Sequence, residues 1–568
     1  MVVDIEVTLE NRRLNRMRTF RYSSAVVVLS LALTACQQST PQVVEKIVEK
    51  VVVQTAIVEV EKLVQVTPTP EPVGEKIVVL GVEGSLPTFD PLNASDSRVD
   101  TASINIYNAL RQNIPGTTDV ENELATGYVM SSDGLSYTFS LRPGIKFHDG
   151  SELDSADVVY TVERMLALKV GYYSSLKNLT GATAIDPLTV KLQLDAVFPA
   201  LPSALVRLYI VNSDLVKANV EANDYGQKWL QNHDAGSGPY KLDSFEPEQQ
   251  WSVVKHPEYF KGWEGAHVDK AIVRVIKEES TRRLALANAE IDWATITSAD
   301  NFVAIKQLNG VTSFVNQTIN QFYFAMFTQN KYLKDVRIRK ALALAYDYKG
   351  DVELARLGFA QIAQGAFPPS ILCHDNTAPV SNQDLAKAKE LMAEAGYPNG
   401  GFEFDMVYQG TNAQEVQAFQ IMQASAAELG ITVNPLPAEW SAKVNLYSSP
   451  STAPGLGTIW IFPSYEDPDQ FLGRLGLSSA FGNYNFAYYS NEAFDKVTTE
   501  ARSELNPEKR CAMYKEAQTI WMEDQPYING VVGQSLAAAR DYVKGYIWTP
   551  SHAFTQNLYL ISVEDKYN

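Results

Sequence analysis

"SYTFSLRPGIKFHDGSELDSADVVYTVERML", residues 136–166, places His148, Asp149, Glu152, Asp154 and Asp157 within ten positions. Such density suggests metal ligands, or an acid and a base. The flanking pattern argues for something else. "SYTFSLRPGIKF" alternates apolar and polar residues around Pro-Gly, as strands do on either side of a turn. "HDG" then ends the strand, with Gly150 supplying backbone freedom. Asp154 precedes a helical stripe of Val158, Val159, Val162, Met165 and Leu166. It is placed as the N-cap, and Asp157 stands at N3, where a carboxylate reaches back in a capping box. Negative charge in a first turn also suits the helix dipole. His148 has no second histidine at ligand spacing. The stretch therefore predicts a strand, a turn and a capped helix, and no reaction centre.

The same alternation continues outward. Helices are predicted at "DVRIRKALALAYD" (335–347), "NQDLAKAKELMAEAGYPNG" (382–400) and "AFDKVTTEARSELNPEKRCAMYKEAQTIWMED" (493–524). The second stops at Gly396, with Pro398 close behind. Strands are predicted at "QFYFAMFT" (321–328) and "FEFDMVYQ" (402–409). Toward the N-terminus, "KIVVLGVEGSLPTFDPLNA" opens the body near Glu75 with a β-branched run that stops at a Gly/Pro-rich loop. Strands alternating with helices define an α/β protein. At 568 residues the chain exceeds the roughly 250–300 that one core serves, so two or more lobes are expected. With 48 basic against 66 acidic residues the net charge is −18, which disfavours nucleic acid and anionic lipid as partners.

Residues 1–35 do not belong to that body. Arg12, Arg13, Arg16, Arg18 and Arg21 precede "SAVVVLSLALTA", too short for the roughly 20 apolar residues of a membrane span. Basic flank, short apolar run and small residues are the pattern of a secretory signal; Met17 is an alternative start. "LTAC", Leu33 to Cys36, resembles the lipobox of bacterial lipoproteins, which implies cleavage before Cys36 and acylation of it. Residues 36–74 form a tether: a Val/Glu/Lys-rich stretch (42–66), legible as helix or as β alternation, then "TPTPEP" in extended form. A spacer is expected there, with a short coiled coil as the alternative. Export permits a disulfide between the two remaining cysteines, Cys373 and Cys511, and their spacing does not decide it.

Six blocks in chain order carry a resemblance: "LPTFDPLNA", residues 124–166, "GSGPYKL" (236–242), "DVRIRKALALAYD", "AKELMAEAGYP" and "DPDQFL" (467–472). From about residue 76 to its end the chain resembles the bacterial extracellular solute-binding proteins of family 5, the oligopeptide, dipeptide and nickel group that feeds ABC importers. The resemblance implies a periplasmic-binding-protein type II clamp with an extra small domain. Domain I would take 75–113, 235–320 and 526–568, domain II 114–234, and domain III 321–525. It further implies a monomeric body tethered on the outer face of the cell membrane, with no catalytic residues and no cofactor. The partners would be a small-molecule or peptide ligand and the permease and ATPase of an importer. A ligand touching both lobes would favour the closed form, which the permease reads.

Peptide binders of this family hold the peptide amine with an Asp that falls, without a gap, on Ser464 in "IWIFPSYEDPDQ". A hydroxyl offers no charge-assisted anchor, and Glu466 or Asp467 are the substitutes. Trp440 matches a family Trp that walls the pocket; seven residues on, where some members carry a carboxylate-binding Arg, stands Tyr447. Trp440, Trp460, Ser464, Tyr465, Asp467, Tyr484 and Asn485 are thus the expected ligand-binding residues. Aromatic faces beside amides suit sugar rings as well as peptide, so an oligosaccharide is the alternative cargo, and a ligand sensor the alternative role. Six histidines without ligand spacing predict no metal site. An exported hydrolase fits worst: no G-x-S-x-G or H-E-x-x-H occurs, and Glu466, Asp467 and Asp469 crowd one loop.

Overall fold

A computed structural model describes residues 75–552, 556–564 and 566, and two short strands upstream, Val52–Val53 and Ala56–Ile57, paired antiparallel. The signal segment, Cys36 and most of the tether lie outside the described residues. No helix among the described residues is long and apolar enough to cross a membrane.

The charge-dense stretch folds as its pattern predicts. Ser136–Leu141 is an inner strand of a four-stranded antiparallel sheet with Ala125–Met130, Thr189–Leu194 and Leu179–Asp186. Helix Ser155–Leu168 packs Val158, Val162 and Met165 into the core that this sheet shares with Phe139 and Leu192. Its capping box is complete. The Asp154 carboxylate accepts from the Ala156 N–H at 2.7 Å, and Asp157 accepts from the Asp154 N–H at 3.0 Å. His148 uses both ring nitrogens, 2.7 Å from Asp234 and 3.1 Å from the Gly238 carbonyl. Asp149 accepts from the Ser151 N–H and the Asn212 amide, each at 2.9 Å, and Lys146 donates to Glu152 at 2.9 Å. Further along the helix Arg164 forks onto Asp90 with bonds of 2.7 and 2.6 Å, joining the opening loop to this domain in a fully buried pair.

A second sheet, of eleven strands, runs through the rest of the body. On one side Ile77–Val82 pairs in parallel with Lys270–Val275 and Trp293–Ile296. On the other, Phe402–Tyr408 pairs in parallel with Ile431–Pro437 and Leu456–Ile461. Two long antiparallel strands, Val311–Met326 and Tyr527–Arg540, connect the halves. Their register slips between Gln317 and Gln321 and again before Tyr323, which interrupts the ladder midway. Cores separate accordingly: one gathers Val78, Leu80, Trp251 and Trp293, others Phe324, Met406 and Met422 or Ile459, Phe471 and Trp521. The body is thus mixed α/β, as its alternation predicts.

Two expectations change. The segment 493–524 is two helices, Glu492–Ser503 and Pro507–Asp524, because Asn506 caps a new helix with Pro507 at its first position. The strand expected at 321–328 begins ten residues earlier, at Val311, since it spans both halves. Cys373 and Cys511 form a disulfide, Cα atoms 4.6 Å apart, which joins the loop after Phe367 to the second of those helices.

Candidate functional site

A cavity of about 570 Å³ opens where the two connecting strands slip. One wall comes from residues 296–300, at the start of the short helix Ala299–Ile305. The opposite wall comes from 354–359 and 412–417, and the floor from Thr318, Asn320 and 533–536 of the connecting strands, with Trp460 and Phe462 beside them. It is a cleft between the halves of the large sheet. Its polar lining is mostly neutral: Thr297, Ser298, Thr318, Asn320, Asn412, Gln414, Gln417, Gln534 and Ser535 offer hydroxyls and amides, and Asp300 and Arg356 are the charged residues. Phe359, Trp460, Phe462 and Trp548 supply aromatic surface. Gly533 has its place for a physical reason, since a Cβ there would stand 3.2 Å from the Trp460 ring.

Trp460 is the one expected ligand residue that lines this cavity. Its ring lies 5.0 Å from that of Phe322 and 5.1 Å from the Arg356 guanidinium carbon. Trp440 starts the helix Trp440–Tyr447, is 41% exposed and carries Lys443 at 5.6 Å over its ring. The remaining residues lie away from the cavity. Ser464 offers its carbonyl to the Tyr172 hydroxyl at 3.2 Å and to Arg207 at 3.3 Å. Tyr465 is buried in the core of the small domain, 5.8 Å from Phe198. Asp467 caps the turn Pro468–Gln470 and forks onto Arg510 with bonds of 2.9 Å, so its carboxylate is fully engaged. Tyr484 lies beneath Arg474 at 3.9 Å. Asn485 is fully buried, and its amide donates to the carbonyls of Gly476, Leu477 and Tyr489. Tyr447, at the position of the family's arginine, is buried and stacked on Phe486 at 4.5 Å.

The loop 462–470 has another consequence. Through Ser464 and Tyr465 it joins the second half of the large sheet to the small domain, beside a buried cluster of Arg207, Asp100 and His552. Arg207 lies 3.2 Å from Asp100, which is 2.8 Å from His552. Glu466 sits beside them, 8% exposed, with neither carboxylate oxygen hydrogen-bonded. Burial, opposed by Ser551 and Arg207, raises its pKa.

Sequence reasoning missed Arg356, Asn320, Gln414 and Gln534. No motif surrounds them, and four separate segments bring them together. No group of acidic, histidine or cysteine side chains suited to a metal ion occurs among the described residues.

Two lobes joined by long strands around a polar, aromatic-lined cleft define the architecture of a solute-binding clamp. The chain matches the model of the bacterial extracellular solute-binding proteins, family 5 middle region, over residues 119–483, and it belongs to that family of binding proteins. Heme-binding protein A of Haemophilus influenzae is 29% identical over 479 residues, covering 79% of this chain and 86% of the relative. Glutathione-binding protein GsiB of Shigella boydii is 27% identical over 489 residues, 84% of this chain and 93% of its own. Among solved structures, the periplasmic binding protein DppA from Helicobacter pylori, in complex with the peptide STSA, superposes with a TM-score of 0.71 at 26% identity. That match covers 86% of this chain and 98% of DppA. HbpA2 from Haemophilus parasuis gives a TM-score of 0.78 at 24% identity, covering 86% of this chain and all of its own, and supports the type II clamp fold.

Proposed function

We propose that this protein is the lipid-anchored receptor of an ABC importer and that its cargo is a peptide-like solute. The observation that carries the reading is the cleft lining. Nine amide or hydroxyl side chains from both halves line one space with four aromatic rings. Extended peptide presents alternating N–H and C=O groups that such side chains match, while the rings take its side chains. Capture on both walls makes the closed form the more stable one when solute is bound, and the permease reads that form. Relatives named for glutathione binding, and a similar structure holding a tetrapeptide, support a peptide-like cargo. The lipobox at Leu33–Cys36 supports the anchor, and the disulfide fits an exported protein.

Native mass spectrometry of the protein purified gently from its own host tests both parts. Expected are short peptides or peptide conjugates released on denaturation, and a chain that starts at an acylated Cys36. A hexose ladder would replace the peptide reading with the oligosaccharide one. An unmodified Cys36 would remove the anchor.

A further inference from the structure

We infer that Arg356 is an anchor for a carboxylate of the enclosed solute, so that the cleft selects anionic, peptide-like ligands. This rests on the cleft being the solute site, and it adds a binding residue at a position where the family resemblance gave none.

The observations are independent of the sequence motif. Arg356 is 2% exposed, lines the cleft cavity, and is its only cation among the described residues. Its guanidinium is held on three sides. Nε donates to Asp351 at 3.2 Å, Nη1 donates to Gln414 at 2.8 Å, and the rings of Phe322 and Trp460 lie 5.0 and 5.1 Å from its central carbon. Nη2 has no partner. A buried guanidinium nitrogen left unsatisfied is costly, and such a group calls for a missing partner. Nη2 alone is left with N–H donors to which a carboxylate oxygen would add a charge-assisted bond.

The backbone is built to present this side chain. Asp351–Ala355 is a π-helical turn, a form that concentrates at functional sites. Leu357, directly after Arg356, sits at φ 47°, a conformation that costs a bulky residue energy. The local counter-charge, Asp351, meets the guanidinium only at its Nε edge and keeps its second carboxylate oxygen unpartnered; burial, opposed by Arg356, raises the Asp351 pKa. In a chain of net charge −18, Arg356 is, among the described residues, the one cation that lines the cleft, where Asp300 is the one acidic residue of the lining.

Calorimetric titration of the dialysed full-length protein tests this with four probes: glutathione, tetra-alanine, tetra-alanine amide and maltotetraose. Expected is binding of glutathione or tetra-alanine that weakens about ten- to a hundredfold in Arg356→Gln, as loss of a hydrogen bond to a charged group does. The amide should already bind weakly and be indifferent to the substitution. The double variant Asp351→Asn/Arg356→Gln leaves no lone buried acid and should repeat the loss, with an unchanged thermal midpoint as the check on folding. Equal affinity in wild type and variants, equal binding of peptide and amide, binding of maltotetraose alone, or no binding of either carboxylate probe would overturn the anchor. Trp460→Ala separates the two ideas. Binding lost there but kept in Arg356→Gln sinks the anchor only, whereas binding kept in Trp460→Ala sinks the cleft as the site.

Discussion

Residues 146–157 and the Arg356 wall of the cleft both gather charged and polar groups, and they differ in what the chain leaves unpaired. Along the first, each ionisable side chain finds its partner inside the protein: Lys146 with Glu152, His148 with Asp234, Asp149 with Asn212, Asp154 with the Ala156 N–H and Asp157 with the N–H groups of Asp154 and Ser213. On the cleft wall, Arg356 comes from one segment, Gln414 from another and Trp460 from a third, and a buried nitrogen still has no partner. Density of charge along a sequence therefore marks local structure here. Capacity for a ligand appears where distant segments meet and the chain does not complete its own hydrogen bonds.

The comparison is broken most forcefully at Arg164, on the helix Ser155–Leu168 that the charge-dense block opens. Arg164→Ala leaves Asp90 buried and uncompensated, so a loss of about 3–5 kcal/mol is expected in urea unfolding. Solute affinity of the folded protein should be unchanged. A fall in affinity larger than the fall in stability would give the block a ligand role.

A smaller effect is expected from pH. His256 is buried, its ring 5.0 Å from that of His148. Burial first, and then the neighbouring His148, lower its pKa from 6.5 to about 4. Between these values the unfolded chain holds a proton that the folded chain refuses, so stability falls as pH drops through 6.5 and the loss is complete near 4. The shift corresponds to roughly 3 kcal/mol. Urea midpoints at pH 7 and 4.5 should converge in His256→Asn relative to wild type. A wild-type protein equally stable at both values would mean that His256 takes up its proton in the fold.

The same contrast explains what was legible in the sequence. Local units were: the Asp154 cap, the strand at 136–141, the helix stop before Gly396, and the strand at 402–408 each follow from neighbours in the chain. The break at Asn506–Pro507 was equally local, and apolar periodicity running across it hid the signal. The cleft was not legible, because Thr318, Arg356, Gln414 and Gln534 meet only through the sheet order. Trp460 came from resemblance, not periodicity. Asp467 and Asn485 show the converse difficulty: short polar side chains on a loop serve the loop's own backbone first.

The finest test lies at Asp154. Asp154→Ala removes one side of the capping box, leaving the Ala156 N–H without its acceptor, and about 1 kcal/mol of stability should go with it. Because Asp157 keeps its bond to the Ser213 N–H at 2.8 Å, the rest of the helix stays docked. The loss should therefore appear as faster amide exchange confined to the first turn, and solute binding should not change. A cap that cost nothing to remove but weakened binding would make the dense acidic stretch part of the receptor's chemistry. The division between paired and unpaired charge would then no longer separate structure from function in this molecule.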